Sequence, residues 1–252
     1  MLTIVIPMAG RGSRFADAGY DLPKPLLPVH GVPMIEVVVE NLRPSVPARF
    51  VFVCQREHLA AYGFERRLCE IAPGCAIVPI DGLTDGAACT VLLAEHEIDA
   101  DDLLVIANSD QWVDIAFDDH LAVLHEQGLD GLIMTMWADH PKWSYVELDD
   151  GGAITRVVEK EVVSNEATVG IYTFARGGDF VRAAQAMIAA DERVNGEFYV
   201  APVYNQLIAE GAVIGYDNVG AVGDGMYGLG VPEDLEHFVA LPISQRAARV
   251  AA

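Results

Sequence analysis

The chain has 252 residues, which at ~150 residues per domain allows one large domain or two small ones. Its 37 Asp and Glu outnumber its 16 Lys and Arg, and the formal net charge of −21 opposes binding to nucleic acid or to an anionic membrane. Apolar residues make up 52% of the chain and charged residues 21%, a composition typical of a packed globular protein rather than a disordered chain or a coiled coil.

The first hundred residues alternate between strand-like and helix-like segments. Strands are predicted at residues 2–6, 50–53, 76–80 and 103–107. Helices are predicted between them at residues 33–42, 57–68 and 87–94. This alternation requires crossover helices and a largely parallel sheet, so the expected fold class is α/β.

After Asp110 the pattern changes to successive strands, at residues 131–137, 145–148, 154–159, 168–174 and 213–219. The turn sequence DDGG favours a hairpin between the second and third of these strands. Further helices are predicted at residues 179–190, 200–210 and 232–239. No Gly-, Ser- or Pro-rich linker divides the chain, so we expect a single domain with a mixed, mainly parallel sheet.

The cysteines and the N-terminus favour a cytoplasmic location. Cys54, Cys69, Cys75 and Cys89 form no CxxC pair and have apolar neighbours, which favours reduced thiols in the core over disulfides or zinc. The short apolar run at the N-terminus follows no basic region, so we expect no signal peptide. No apolar run approaches the about 18 residues that span a membrane.

The loop after the first predicted strand reads MAGRGSRF, and ten residues beyond its second arginine the chain reads KPLLP. Gly10 and Gly12 allow backbone N–H groups to approach an anion, while Arg14 and Lys24 offer charged donors to phosphate oxygens. The alternative is a tight strand-to-helix connection without a ligand. The third glycine of a dinucleotide-binding fingerprint would fall at Phe15, and no Walker sequence follows, so both of those common sites are disfavoured.

The spacing of GxGxR and KPLLP resembles that of the sugar-phosphate nucleotidyltransferases, the pyrophosphorylases that join a nucleoside triphosphate to a sugar 1-phosphate. The resemblance covers most of the chain and implies a Rossmann-like nucleotide-diphospho-sugar transferase fold. It divides the domain into a nucleotide-binding half at residues 1–110, an acceptor-binding half at 111–240 and a C-terminal tail at 241–252. In that family the loop wraps and neutralises the triphosphate, a role that falls by position on Ala9, Gly10, Gly12, Ser13, Arg14 and Lys24.

Asp110 follows the strand predicted at residues 103–107, at the edge of the sheet where ligands of open α/β proteins bind. A carboxylate there suits Mg²⁺, which takes one or two carboxylates and completes its shell with phosphate oxygens and water. The alternative is a turn or helix N-cap residue. The resemblance identifies Asp110 as the Mg²⁺ ligand.

The family commonly carries a second metal-binding Asp in a stretch similar to WLDTGTPE. The matching run here is MYGLGVPE, and Gly228 occupies the Asp position. Either one carboxylate suffices, with water completing the coordination shell, or Asp224 reaches the metal from four residues earlier.

The acceptor half contains KWSYVE, VEK, NEATVGIY and GEFY in the order found in the family. The resemblance implies that Lys160 binds the acceptor phosphate and Glu197 its hydroxyl groups, with Trp143, Ser144 and Gly170 close to the acceptor. Without that order, Lys160 would be read as a surface lysine and Glu197 as a residue at a helix N-terminus.

The segment GLTDGAACT matches the region that cradles the base and ribose in the family. Asp85, Gly86 and Thr90 are therefore expected to bind the nucleotide. Thr84 or Asp85 would equally serve as a helix N-cap. The segment does not distinguish one nucleobase from another.

Three positions depart from the family pattern: Trp143 stands for a Tyr, Ser144 for a Gly and Gly228 for an Asp. Together they resemble nucleotidyltransferases of capsule and surface-polysaccharide pathways, whose acceptor need not be an ordinary hexose 1-phosphate.

The implied activity is an Mg²⁺-dependent attack of an acceptor phosphate on the α-phosphorus of a nucleoside triphosphate, with Arg14, Lys24 and Asp110 as catalytic residues. The expected partners are these two small substrates, without nucleic acid or membrane, in a monomer or homo-oligomer. One alternative is a nucleotide-sugar-dependent glycosyltransferase, although Asn108 lacks the first Asp of a D-x-D metal motif. Another is a non-catalytic nucleotide-binding regulatory subunit, which the glycine at position 228 favours.

Overall fold

Strands and helices alternate along most of the chain, and the computed structural model describes residues 1–248. The strands are β1 Leu2–Pro7, β2 Pro28–Val29, β3 Val32–Pro33, β4 Ala48–Gln55, β5 Ala76–Ile80, β6 Leu103–Ala107, β7 Gln111–Val113, β8 Gly131–Trp137, β9 Ser144–Leu148, β10 Ile154–Glu159, β11 Glu166–Phe174, β12 Ile214–Val222 and β13 Gly225–Gly228. The α-helices are α1 Ser13–Asp17, α2 Met34–Asn41, α3 Arg56–Tyr62, α4 Phe64–Ile71, α5 Ala87–Leu92, α6 Phe117–Gln127, α7 Gly177–Ala189, α8 Tyr204–Ala209, α9 Pro232–Ala240 and α10 Pro242–Ala248.

Eleven strands form one sheet, whose main path runs β5-β4-β1-β6-β11-β8-β12-β13-β7. The first four strands of this path are mutually parallel, because helices cross over between them. Strand β11 is antiparallel to both β6 and β8, while β12 is parallel to β8 and to β13. Strands β9 and β10 lie off the path and pair with each other, and β9 also pairs with β11. The predicted single α/β domain with a mixed, mainly parallel sheet is confirmed.

Strand β1 lies inside the sheet and supplies side chains to the packed layers on both faces. Ile4 and Ile6 belong to one apolar cluster, and Val5 between them belongs to another. Successive side chains of a strand point to opposite faces, so a strand covered on both sides needs an unbroken apolar run. This explains why residues 2–6 are uniformly apolar.

The hairpin predicted from the DDGG turn is formed by β9 and β10, which pair in antiparallel register. The Asp149 carboxylate accepts hydrogen bonds from the backbone nitrogens of Gly151 at 2.8 Å and Ala153 at 2.9 Å. The side chain therefore closes the turn that joins the two strands.

The helix predicted at residues 57–68 is divided into α3 and α4. Gly63 separates them with a φ of 58° in the left-handed region, which ends one helix and allows the next to start in a new direction. Helix α6 and strands β7 and β13 were not predicted, because they are short or only weakly periodic. The expected C-terminal tail at 241–252 contains helix α10, and its last four residues, 249–252, lie outside the described part of the chain.

The four cysteines are free within residues 1–248. Cys54 is buried as predicted, but Cys69 is exposed on α4, with its Sγ atom 4.0 Å from that of Cys75. The prediction of core thiols was wrong for Cys69, because that position lies on the solvent side of its helix. None of the helices in the described residues is long and apolar enough to cross a membrane.

Tyr204 offers a test of the core. Its ring stacks on Phe174 at 4.4 Å, and its buried hydroxyl donates to the Thr173 carbonyl oxygen at 2.9 Å. Tyr204→Phe is expected to lower the free energy of unfolding by about 1 kcal/mol, because it removes a buried hydrogen bond and keeps the ring. Urea denaturation measures this loss. Tyr62→Phe is the matched control, since Tyr62 is 44% exposed, and an equal loss in both variants would contradict the packing described here.

Candidate active site

A cleft with two adjoining chambers opens at the carboxyl ends of β1 and β6. The loop chamber, about 340 Å³, is lined by the loop that follows β1 and by the start of α5. The wide chamber, about 560 Å³, is lined mainly by residues of the second half of the chain. The two share Ala87, Asn108, Asp110 and Glu197, so they form one continuous site.

The glycine loop contributes to both chambers. Ala9, Gly10 and Lys24 line the loop chamber, whereas Arg14 lines the wide chamber. Gly12 lines neither chamber; its φ is 62°, and a Cβ atom there would be 3.4 Å from Lys24 Cβ. Ser13 begins helix α1 and lines neither chamber. The loop therefore bends closely around Lys24 and sends its arginine towards the other half of the cleft.

Lys24 and Asp110 meet where the chambers join. The Lys24 Nζ atom lies 2.7 Å from Asp110 Oδ2, and the two side chains are 23% and 24% exposed. Lys24 begins a short 3-10 helix, and Asp110 follows β6. The ion pair therefore holds the β1 loop against the end of β6, with both charged groups still accessible from the cleft.

The expected base-binding segment is fixed by a close backbone contact. Gly86 has a φ of 125°, and a Cβ atom there would lie 2.4 Å from the Phe198 carbonyl oxygen. The Phe198 nitrogen donates to the Asp85 carbonyl oxygen at 2.7 Å. Gly86 and Thr90 line the loop chamber, but the Asp85 carboxylate is 67% exposed, pairs with Arg193 and lines neither chamber. The contact between Gly86 and Phe198 joins the first half of the chain to the second.

The five predicted acceptor residues all line the wide chamber: Trp143, Ser144, Lys160, Gly170 and Glu197. Strands β9, β10 and β11 bring most of them to one place. Gly170 has a φ of 85°, and a Cβ atom there would lie 2.1 Å from the side-chain nitrogen of Asn108. A glycine at this position thus allows Asn108 to lie at the junction of the two chambers.

Lys160 presents a protonated amine to the wide chamber. Its Nζ atom lies 4.6 Å from the centre of the Tyr199 ring and donates a hydrogen bond to the Tyr199 hydroxyl. This hydrogen bond raises the pKa of Lys160 above its ordinary value. Tyr199 was not predicted as a site residue, although it lies only two residues beyond Glu197 in the GEFY segment.

Glu159 is a second site residue that the prediction missed. Its side chain accepts a hydrogen bond from the Ser144 hydroxyl, lines the wide chamber and is only 9% exposed. Burial raises the pKa of Glu159, nearby Glu197 raises it further, and Ser144 and Lys160 lower it, with a net upward shift. The chamber therefore holds a carboxyl group that keeps its proton to a higher pH than an exposed glutamate does.

Further unpredicted residues complete the cleft. The Gln55 side-chain amide donates to the carbonyl oxygens of Ala9 and Gly82, both at 2.6 Å, and so holds the glycine loop beside the base-binding segment. Lys142 lines the wide chamber, with its Nζ atom 4.6 Å from the Trp143 ring centre. The only local signal for Gln55 was its position at the carboxyl end of a strand.

The carboxylate of Asp110 lines both chambers. A Cβ atom on Gly230 would lie 2.8 Å from Asp110 Oδ2, so the glycine leaves space beside this carboxylate. A hard anionic donor with open space around it fits Mg²⁺. Asp224 is exposed near the turn between β12 and β13 and lines neither chamber. No group of three or more His, Cys, Asp or Glu suited to a metal is found among residues 1–248.

The chain is similar in sequence to proteins of known families. Residues 4–202 match the family model described as Nucleotidyl transferase. The bifunctional protein GlmU of Methanococcus maripaludis is 26% identical over 256 residues, which cover 98% of this chain and 56% of that protein. The chain spans about half the length of the curated relatives it matches.

Two solved structures have similar folds. A nucleoside-diphosphate-sugar pyrophosphorylase from Vibrio cholerae matches with a TM-score of 0.81 and 27% identity, over 94% of this chain and 100% of that one. A UDP-glucose pyrophosphorylase from Acinetobacter baumanii matches with a TM-score of 0.71 and 16% identity, over 100% of this chain and 98% of that one. The second likeness concerns the fold alone.

Glu159→Gln is expected to stabilise the folded protein at pH 7, because a neutral amide avoids the cost of burying an ionised carboxylate. Since folding raises the pKa of Glu159, the wild type loses stability as the pH rises from the ordinary glutamate pKa through the raised one. The stability difference between variant and wild type should therefore be absent at low pH and complete above the raised pKa. Urea unfolding at several pH values measures it.

The matched control is Glu161→Gln, two residues away and exposed to solvent. It is expected to give no comparable pH-dependent difference. If Glu159→Gln behaves in the same way as this control, the carboxyl group is not held in the environment described here.

Proposed function

The chain belongs to the Nucleotidyl transferase family, and we propose that it is a nucleotidyltransferase of the pyrophosphorylase type, which transfers a nucleoside monophosphate from a nucleoside triphosphate to a small phosphorylated acceptor. One observation carries the proposal: a loop suited to a triphosphate and a polar chamber with its own lysine are continuous through Lys24 and Asp110. The family match favours this activity over that of a nucleotide-sugar-dependent glycosyltransferase.

In the proposed reaction the triphosphate lies in the loop chamber and the acceptor in the wide chamber. Backbone nitrogens of the glycine loop and the Lys24 ammonium bind phosphate oxygens. An acceptor phosphate oxygen forms a bond to the α-phosphorus, and the bond from that phosphorus to the bridging oxygen breaks. Pyrophosphate leaves with the electron pair, so the reaction is balanced without a covalent enzyme intermediate.

Positive charge and positioning are the chain's contributions to the rate. The two substrates are both anions, and their mutual repulsion must be offset before an oxygen of one can approach the phosphorus of the other. Arg14, Lys142 and Lys160 line the wide chamber, and Lys24 lines the loop chamber. Fixed cations on either side of the reacting atoms stabilise the charge that develops during transfer.

Asp110 is the proposed ligand for Mg²⁺. When bound, this ion supplies positive charge to the phosphate oxygens of the nucleotide. Lys24 holds the Asp110 carboxylate in place through the ion pair. The space beside Gly230 supports the assignment, because a larger residue would press on this carboxylate.

The proposed acceptor is a phosphorylated precursor of a surface polysaccharide or of its decoration, used in the cytoplasm. Lys160 is suited to its phosphate, and Glu197 to a hydroxyl or amine group. Trp143 and Ser144 replace residues expected for a hexose 1-phosphate, and the Ser144 hydroxyl is occupied by Glu159. These differences support an acceptor other than an ordinary hexose 1-phosphate.

Arg14→Ala and Lys24→Ala are each expected to lower kcat by at least about 100-fold without unfolding the protein, because each side chain stabilises charge during phosphoryl transfer. Single-turnover pyrophosphate release measures the effect, and circular dichroism checks the fold. Arg11→Ala is the matched control, since Arg11 belongs to the same loop but lines neither chamber. Unchanged single-turnover rates in the first two variants would overturn their assignment.

The substrates are tested by a crossed screen. ATP, CTP, GTP, UTP and dTTP are each combined with sugar 1-phosphates, alditol phosphates, and small phosphorylated amines and amides, with pyrophosphate release as the readout. We expect release with an acceptor outside the ordinary hexose 1-phosphates. Efficient use of glucose 1-phosphate would refute the altered acceptor. No release from any pair, despite tight nucleotide binding, would instead favour the regulatory-subunit alternative.

A further inference from the structure

We propose that Asp234 is a second carboxylate ligand for the divalent cation of this cleft, reaching it from helix α9 beside Gly228. The inference rests on the proposed function, because it assumes that Asp110 holds the cation next to the nucleotide phosphates. It differs from both alternatives raised by the sequence, a single carboxylate or a contribution from Asp224.

Gly228 leaves the space that the Asp234 side chain uses. A Cβ atom built on Gly228 would lie 3.2 Å from Asp234 Oδ2. The Asp234 carboxylate thus lies against the open side of the glycine and lines the wide chamber. Gly228, at the end of β13, therefore has no side chain of its own but lies next to the Asp234 carboxylate of α9.

The Asp234 and Asp110 carboxylates lie next to two nearby glycines, Gly228 and Gly230, respectively. Gly228 and Gly230 both line the wide chamber, while Leu229 between them is fully buried in the opposite direction. A Cβ atom on Gly230 would lie 2.8 Å from Asp110 Oδ2. The two carboxylates therefore flank adjacent positions on one wall of the chamber.

The environment of Asp234 favours a cation. Its carboxylate makes no hydrogen bond or ion pair with any residue between 1 and 248. An ionised Asp234 without a positively charged partner would repel the phosphate groups of the proposed substrates. A divalent cation held by Asp234 and Asp110 would offset this repulsion by supplying positive charge. Mg²⁺ commonly uses one or two carboxylates together with substrate phosphates.

The competing explanation for Asp234 is a structural one. It lies in the first turn of α9, where a negative charge interacts favourably with the helix dipole. Glu233 lies in the same turn and is exposed, so it carries the same dipole interaction without facing the chamber. The two residues therefore form a matched pair that separates the two roles.

The test measures Mn²⁺ binding by electron paramagnetic resonance, with inorganic tripolyphosphate present as the phosphate probe. Asp234→Asn is expected to weaken Mn²⁺ binding by about 10-fold or more, since metal affinity depends steeply on ligand charge. Glu233→Gln and Asp224→Asn are expected to change it by less than about twofold. An unchanged affinity in Asp234→Asn, an equal loss in Glu233→Gln, or no Mn²⁺ binding by the wild type would each overturn the inference.

A rescue variant separates a ligand from a structural residue. The double variant Gly228→Asp, Asp234→Ala moves the carboxylate from the helix to the strand, at a position whose φ does not require glycine. It is expected to bind Mn²⁺ within about threefold of the wild type, because the ligand charge is restored on the same wall. If it binds no better than the single Asp234→Ala variant, the carboxylate is not a ligand.

A failure of this inference can be distinguished from a failure of the proposed function. Unchanged Mn²⁺ binding in Asp234→Asn, together with normal pyrophosphate release, would reject the second ligand and leave the transferase intact. Weakened Mn²⁺ binding, with no pyrophosphate release from any substrate pair in the wild type, would support the cation site and reject the proposed reaction.

Discussion

Electrostatic repulsion between negative charges is the constraint on which the candidate site depends. The proposed reaction would place two anionic substrates side by side within a chain whose own formal net charge is −21. Long-range attraction cannot concentrate such substrates, so the cations must be local. The ion pair of Lys24 with Asp110 lies at the centre of this arrangement, because it joins the two chambers and places charges of both signs at one point.

Two close backbone approaches make a single cleft from the two halves of the chain. Gly86 contacts the backbone of Phe198, and Gly170 leaves room for Asn108. Both glycines have positive φ values and both lie where an added side chain would strike a neighbouring segment. The cleft is thus built by packing loops against each other at the carboxyl edge of the sheet, which is the usual position for ligands of α/β proteins.

The wide chamber contains a buried carboxyl group that costs the folded protein stability. Glu159 is buried with a raised pKa and is hydrogen-bonded to Ser144. A chain selected only for stability would replace such a carboxyl with a neutral residue. Its presence beside Lys160 and Tyr199 favours a role in binding rather than in folding.

The sequence by itself determined the α/β class and predicted a phosphate-suited loop at Gly10 to Arg14, because periodicity and motif spacing along the chain are visible without coordinates. The resemblance to a known family predicted the acceptor residues that follow in chain order. Only the tertiary structure decided that Arg14 serves the wide chamber, that Asp85 and Asp224 lie outside the cleft, and that Asp234 lies beside Gly228. The reason is physical: such contacts join segments that are distant in the chain, and side-chain direction at a strand or helix end is fixed by packing rather than by local sequence.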